Sequence, residues 1–488
     1  MSSIEPRRAR VDLLVFAAAA VPRLATALWA YERVPPHADG TFYHAFARRL
    51  SEGAGYTWLW PDGVVTNAAH YPVGYPAFVA AGYALFGPSP GVAMLLGALL
   101  QSLAAVAMWR FLSTELGRRA GLVGGLGFAL HPGLVAYTPA LMTEGVTASL
   151  LAFALACASA ASRSTRPPAR WGQFLALGVV IAAATYVRPQ SLLFAPVFGA
   201  LALRSGGPGE PRTRRLLRGL GSALALSAVV AALVAPWTLR NCRAMGRCAL
   251  VSVNGGWNLA IGANLRARGT WAELEVPPAC REVYDEAEKD ACFGREARRS
   301  IMSAPGPWLA LAPAKLAATF DYGGAGPWYL RAAAPEHVSE QAKLRVAAVA
   351  FVFERLLLAL GLAATARALS TRVRGAPAWL GKAALGLGVL GLLPAGWIGT
   401  MLLGFGALSL GLAQRGSGRD ERGVVVVLGA AAIILLTALV HVAFFGAGRY
   451  ALPVAPAFVA LASLLFAEGY APAGLARAAE KPGDHASF

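Results

Sequence analysis

The chain has 488 residues, 56% of them hydrophobic and 14% charged, with a formal net charge of +18 and a mean hydropathy of +0.52. A soluble domain cannot cover that much apolar surface with so few polar groups. The excess positive charge lies in short loops between apolar runs, where anionic lipid headgroups are its counter-charge, and no separable basic domain is left to bind nucleic acid.

The runs 11–20, 92–109 and 423–439 approach the length that crosses a bilayer as a helix. No stretch shows the period-two alternation of a β-barrel. The sequence therefore predicts an all-α polytopic membrane protein with about twelve transmembrane helices and interfacial helices in its outer loops. Arg7, Arg8 and Arg10 precede the first run, and Ala25-Thr26-Ala27 offers a cleavage site. Arg23 interrupts that run and apolar residues resume to Ala30, so residues 11–30 read as an uncleaved signal-anchor running outward.

The outer loop 31–90 follows, with a helix of mixed polarity over 42–50. Residues 74–86 are apolar but short, with Pro72, Pro76 and Pro88 around them, and read as interfacial. That choice places Arg118 and Arg119 inside, after a crossing at 92–112. Further crossings are expected at 120–137, 145–161, 171–187, 190–203 and 219–236, with Arg163, Arg166 and Arg170 and then Arg204, Arg212, Arg214, Arg215 and Arg218 inside. Residues 237–345 then form a large outer loop, and 346–366 returns to an inner loop with Arg367, Arg372, Arg374 and Lys382. The stretch 381–413 reads as two short helices turning at Pro394-Ala395-Gly396, because basic residues flank both sides. Crossings at 423–445 and 451–467 complete the chain, and no internal repeat of the kind found in many transporters is evident. The predicted organisation is an N-terminal transmembrane catalytic module, 1–236; the large outer loop, 237–345; a C-terminal transmembrane module, 346–468; and a cytoplasmic tail, 469–488. Of five cysteines, Cys242, Cys248, Cys280 and Cys292 all fall in the large outer loop, an even number where disulfides form. Three pairings are open, and short-loop closure favours Cys242–Cys248 and Cys280–Cys292.

The chemistry-bearing residues gather where crossings meet the outer surface. Asp39 follows the first crossing, and capping of the 42–50 helix is the alternative to a functional role, though the two are compatible. Glu144 starts the 145–161 crossing, where a carboxylate serves the helix dipole or chemistry. Arg188, Arg240 and Arg449 stand at three outer turns, against the positive-inside trend. Guanidinium forks suit phosphate at a membrane surface, and snorkelling to headgroups is the alternative. Tyr450 follows Arg449, and His70-Tyr71 precedes the interfacial stretch. Asn254-Gly255-Gly256-Trp257-Asn258 is a turn signature whose amides can face a ligand. The acidic stretch from Glu273 to Asp290 reads as a solvated helical face. No metal cluster stands out, and His37, His44 and His70 fit no standard spacing.

In order, Asp39 before an aromatic-bearing helix, Tyr71-Pro72-Val73-Gly74-Tyr75-Pro76, Leu141-Met142-Thr143-Glu144, Val187-Arg188-Pro189, Ala235-Pro236-Trp237-Thr238-Leu239-Arg240-Asn241, Ser252 to Leu259 and Gly448-Arg449-Tyr450-Ala451-Leu452-Pro453 resemble the GT-C-fold glycosyltransferases. That group includes the protein O-mannosyltransferases and the lipid A aminoarabinose transferase. The resemblance implies a glycosyltransferase whose donor is a polyprenyl-phosphate-linked sugar and whose acceptor is a glycan, lipid or protein hydroxyl, with its active site on the outer face of the cytoplasmic membrane and both termini cytoplasmic. Asp39 would be the base and Glu144 a second acid near the sugar-phosphate, with Arg188, Arg240, Arg449, Tyr450, His70, Tyr71, Asn254 and Asn258 binding substrate. No nucleotide or other cofactor is implied. The family often has a second acid after the first, but Gly40 stands there, which argues against a tightly held divalent metal. A transporter or lipid flippase is the alternative, and a non-catalytic scaffold a third reading.

Overall fold

The structure is a computed structural model that describes residues 4–203, 211–372, 379–392, 395–416 and 423–468. Arg204, Arg374, Pro394 and the expected tail 469–488 lie outside the described residues. The fold is an all-α polytopic bundle, as hydrocarbon requires: without water, backbone polar groups must be satisfied within each span. Nine helices among the described residues are long and apolar enough to cross a membrane.

The other three expected crossings are helical but shorter. Residues 190–203 contain a 3-10 turn, Pro189–Leu193, leading into Phe194–Leu201, and the first half of 381–413 is the twelve-residue helix Trp379–Leu390. Residues 120–137 break into Arg118–Ala129 and Pro132–Ala136. Two causes meet at that break. Pro132 disfavours a helical residue before it, and the guanidinium of Arg23, fully buried, donates to the carbonyls of Phe128 (3.1 Å) and Ala129. Carbonyls at a helix end lack intrahelical partners, so the arginine inside the first span supplies them. Gln101 accepts from the same guanidinium at 3.3 Å.

Helix Pro90–Leu116 packs against Ile4–Ala30, Arg118–Ala129 and Glu144–Arg163. The interfacial helix has the expected bounds, Gly74–Phe86, and packs on Asp39–Ser51, which begins three residues earlier than expected. Between them a short antiparallel hairpin pairs Thr57–Leu59 with Val65–Asn67, Trp58 lying opposite Thr66. In the large loop, Cys242 is bonded to Cys248 and Cys280 to Cys292.

The expected turn around Asn254 is instead a helix, Gly255–Ala263, that packs on Glu286–Ser303. A Cβ on Gly256 would lie 1.9 Å from the Asp290 carbonyl oxygen, so this glycine permits close packing rather than a turn. In the Glu273–Asp290 stretch, Glu273, Glu275, Glu282 and Asp285 are exposed as expected, but the helix begins only at Glu286, and two of its acids face the protein. The Asp290 carboxylate accepts from the Trp257 amide at 2.8 Å, and Glu286 is half-buried against the first loop.

Candidate active site

Local chain geometry aims each charged side chain. Helix Pro167–Val187 ends because Arg188 precedes Pro189 and is extended (φ −144°, ψ 107°), and its side chain reaches back to the start of the preceding helix at Glu144. Glu144 is the first residue of Glu144–Arg163 and is 1% exposed. Asp39 is likewise a first helical residue. Ala38 occupies the cap position with no side-chain cap, so the expected capping role for Asp39 is replaced by a place in the first turn, where a carboxylate suits the helix dipole.

These residues form one chain of charges. Arg449 places Nη2 3.0 Å from Asp39 Oδ2 and Nε 3.6 Å from Glu144 Oε1. Arg188 Nη1 donates to that same Glu144 oxygen at 3.2 Å, and the Tyr137 hydroxyl donates to Oε2 at 3.2 Å. The Tyr71 hydroxyl donates to Asp39 Oδ1 at 3.3 Å. Burial, and then the Asp39 charge, pushes the Tyr71 phenol well above its ordinary value, so it acts as a donor. Tyr450 lies beneath both guanidiniums, 4.8 Å from Arg188 and 5.3 Å from Arg449, and stacks on His441 at 4.3 Å. Among the described residues, Asp39 thus has one cationic partner, while Glu144 sits between two.

Arg188, His441 and Tyr450 also line a small cleft together with Leu151, Phe194 and Leu436. A guanidinium beside aliphatic and aromatic walls suits a molecule with an anionic head and an apolar tail.

The structure does not bring the third arginine to this centre. Arg240 donates to the carbonyls of Ala68 (2.7 Å) and Tyr56 (2.8 Å) and lies over Trp237 at 4.9 Å, so its fork holds the base of the hairpin. His70 packs edge-on to Tyr71 and Trp257. Burial lowers its pKa, favouring the neutral imidazole. Asn254 accepts from the Ser252 hydroxyl, and the Asn258 amide donates to the Asn254 carbonyl in the first turn of its helix. Sequence reasoning missed Tyr137 and His441. A histidine inside the apolar run 423–445 was a usable signal, since ionisable groups in spans are rarely idle.

A tightly held divalent metal does not fit. Asp39 faces a guanidinium, and a Cβ on Gly40 would lie 2.8 Å from the Tyr329 hydroxyl and 3.1 Å from the Leu141 carbonyl, leaving no room for a second acid. Among the described residues no three His, Cys, Asp or Glu side chains converge.

Residues 70–239 match the family model described as dolichyl-phosphate-mannose-protein mannosyltransferase. That segment is about a third of the chain and includes Tyr71, Glu144 and Arg188, with Asp39 before it and Arg449 after it. No curated protein sequence matches. In shape the chain is similar to ArnT from Cupriavidus metallidurans in the apo state, with 18% identity, 93% of this chain and 77% of that one covered, and a TM-score of 0.37. It is similar also to the Archaeoglobus fulgidus oligosaccharyltransferase in complex with Zn and sulfate, with 11% identity, coverage of 93% and 48%, and a TM-score of 0.47.

Proposed function

We propose that the chain is a membrane glycosyltransferase that moves a sugar from a polyprenyl-phosphate carrier to an acceptor hydroxyl at the outer face of the cytoplasmic membrane. The observation that carries this reading is the line Asp39–Arg449–Glu144–Arg188, whose last member also lines a largely apolar cleft. The family match over residues 70–239 supports it.

In this reading the carrier's phosphate meets Arg188 and Arg449, and its chain leaves toward the apolar side of the cleft beside Arg188. Asp39 takes the proton of the acceptor hydroxyl as that oxygen bonds to the anomeric carbon. The bond from that carbon to the phosphate oxygen breaks, and the electron pair leaves on the lipid phosphate, whose added charge the two guanidiniums stabilise. Glu144 holds both guanidiniums in register and Tyr450 floors them. Because the leaving group is the carrier itself, no nucleotide site is needed.

The test is lipid-phosphate release by the purified protein from a panel of polyprenyl-phosphate-linked hexoses and pentoses. Release from one donor, abolished by Asp39→Asn, is the expected result. Carrier movement between leaflets of a vesicle, without release, would instead establish the flippase reading.

A further inference from the structure

We propose that Glu286, in the large loop, is a positioning residue for Asp39, acting through Tyr71; this rests on Asp39 being the base. Residues 68–72 run between the hairpin and the interfacial helix without regular structure, so their amides need partners from elsewhere. Glu286 supplies them. Its Oε2 accepts from the Ala69 amide at 2.9 Å, and its Oε1 accepts from the His70 amide at 2.9 Å and the Trp58 indole at 3.2 Å. The segment is gripped from its other side as well: the Val253 amide donates to the Ala69 carbonyl at 2.8 Å, and the Tyr56 hydroxyl to the Tyr71 carbonyl at 2.7 Å.

Glu286 is free for this because its own helix end is already served. Asp285 caps Glu286–Ser303 by accepting from the amides of Ala287 and Glu288. The next residue in the gripped segment is Tyr71, whose ring stacks on Phe42 at 5.2 Å and whose hydroxyl reaches Asp39. Movement of the 69–70 backbone is therefore movement of a hydroxyl that orients the carboxylate. A bond at 3.3 Å is near the outer limit of useful geometry, so a small shift breaks it. The carboxylate does not touch substrate or reacting atoms; it aims the group that aims the base.

The experiment compares Glu286→Gln, Tyr71→Phe and the double variant in the full-length protein, using the polyprenyl-phosphate sugar of the panel above that the wild type consumes. Glutamine presents one acceptor oxygen and an NH₂ that cannot accept from the facing amides. The expected result is a kcat lowered about tenfold in each single variant, the loss from one hydrogen bond to a charged group. Donor KM should stay within about twofold, because Glu286 does not contact the donor pocket. The double variant should be no slower than the slower single variant, since both act through one hydroxyl.

Multiplying losses, a raised donor KM, or an unchanged kcat in Glu286→Gln would each overturn the proposal. Should Glu286→Gln not fold, Trp58→Phe removes one of the three donors and is judged by the same cycle with Tyr71→Phe, a smaller kcat loss being expected. Activity in Asp39→Asn would instead refute the base assignment, whatever Glu286 does.

Discussion

Asp39→Asn separates chemistry from architecture, because the asparagine keeps nearly every contact of the residue it replaces. The amide oxygen can still accept from Tyr71, and the first helical turn keeps its shape. What is lost is the charge facing Arg449, in a pair whose side chains are 28% and 31% exposed. Pairs reached by water contribute about 0–1 kcal/mol, so the variant should fold with a stability close to wild type. Arg449 also keeps Glu144 beside it. The rate should fall far more, because an amide cannot take the acceptor's proton. General-base contributions are about 10²–10⁴-fold, or about 3–5 kcal/mol of barrier.

Glu144→Gln is the control, and it should fail differently. Glu144 is 1% exposed, and its loss leaves Arg188 without its carboxylate partner while Arg449 keeps Asp39; removing one partner of a buried pair costs about 3–5 kcal/mol. Transfer, donor binding and thermal stability are measured separately on both variants. Asp39→Asn should bind donor, melt normally and not transfer; Glu144→Gln should melt early. Near wild-type transfer by Asp39→Asn would refute the base assignment, and Glu144 would become the first candidate.

Arg188→Lys and Arg449→Lys keep charge but lose the fork, and each should raise donor KM about tenfold, whereas Arg240→Lys should lower stability and leave donor KM unchanged; equal donor KM in all three would remove the phosphate role. In a background lacking native cysteines, Glu282→Cys should react with a membrane-impermeant reagent on intact cells and Arg214→Cys should not, and equal labelling would sink the proposed orientation. Lys315, wholly buried with its amine donating to the Val442 carbonyl at 3.0 Å, is pushed by burial down to about 8. Its unfolded value is about 10.4, so the unfolded chain binds the extra proton between those values and stability should rise with pH across that window. Lys315→Met should flatten the rise in thermal melts, and an unchanged slope would discount the lysine.

What was legible in the sequence was whatever local rules govern. Prolines and short length marked Gly74–Phe86, Pro189 marked the bend that presents Arg188, and short-loop closure gave the two cysteine pairings found in the structure. What was not legible depends on partners far along the chain. Arg240 at a helix exit looks the same in sequence whether it meets a phosphate or two carbonyls. Glu286 meets the Ala69 amide across 217 residues, and a side chain bound to irregular backbone leaves no periodic trace. The twelve expected crossings were counted from apolar runs, which do not show that Arg23 would end a helix at Ala129 by taking its last carbonyls.

Arg449 is one cation held in common by two acids, Asp39 and Glu144. In the proposed reaction a third anion, the carrier phosphate, competes for it. Before the phosphate arrives, the guanidinium faces an oxygen of the carboxylate that has to take a proton. With its charge shared with the phosphate, the guanidinium holds that oxygen less firmly, while the Tyr71 hydroxyl still donates to the other. The order of events then needs no moving lid: a hydroxyl that arrives before the carrier finds its base held, and one that arrives after finds it freer.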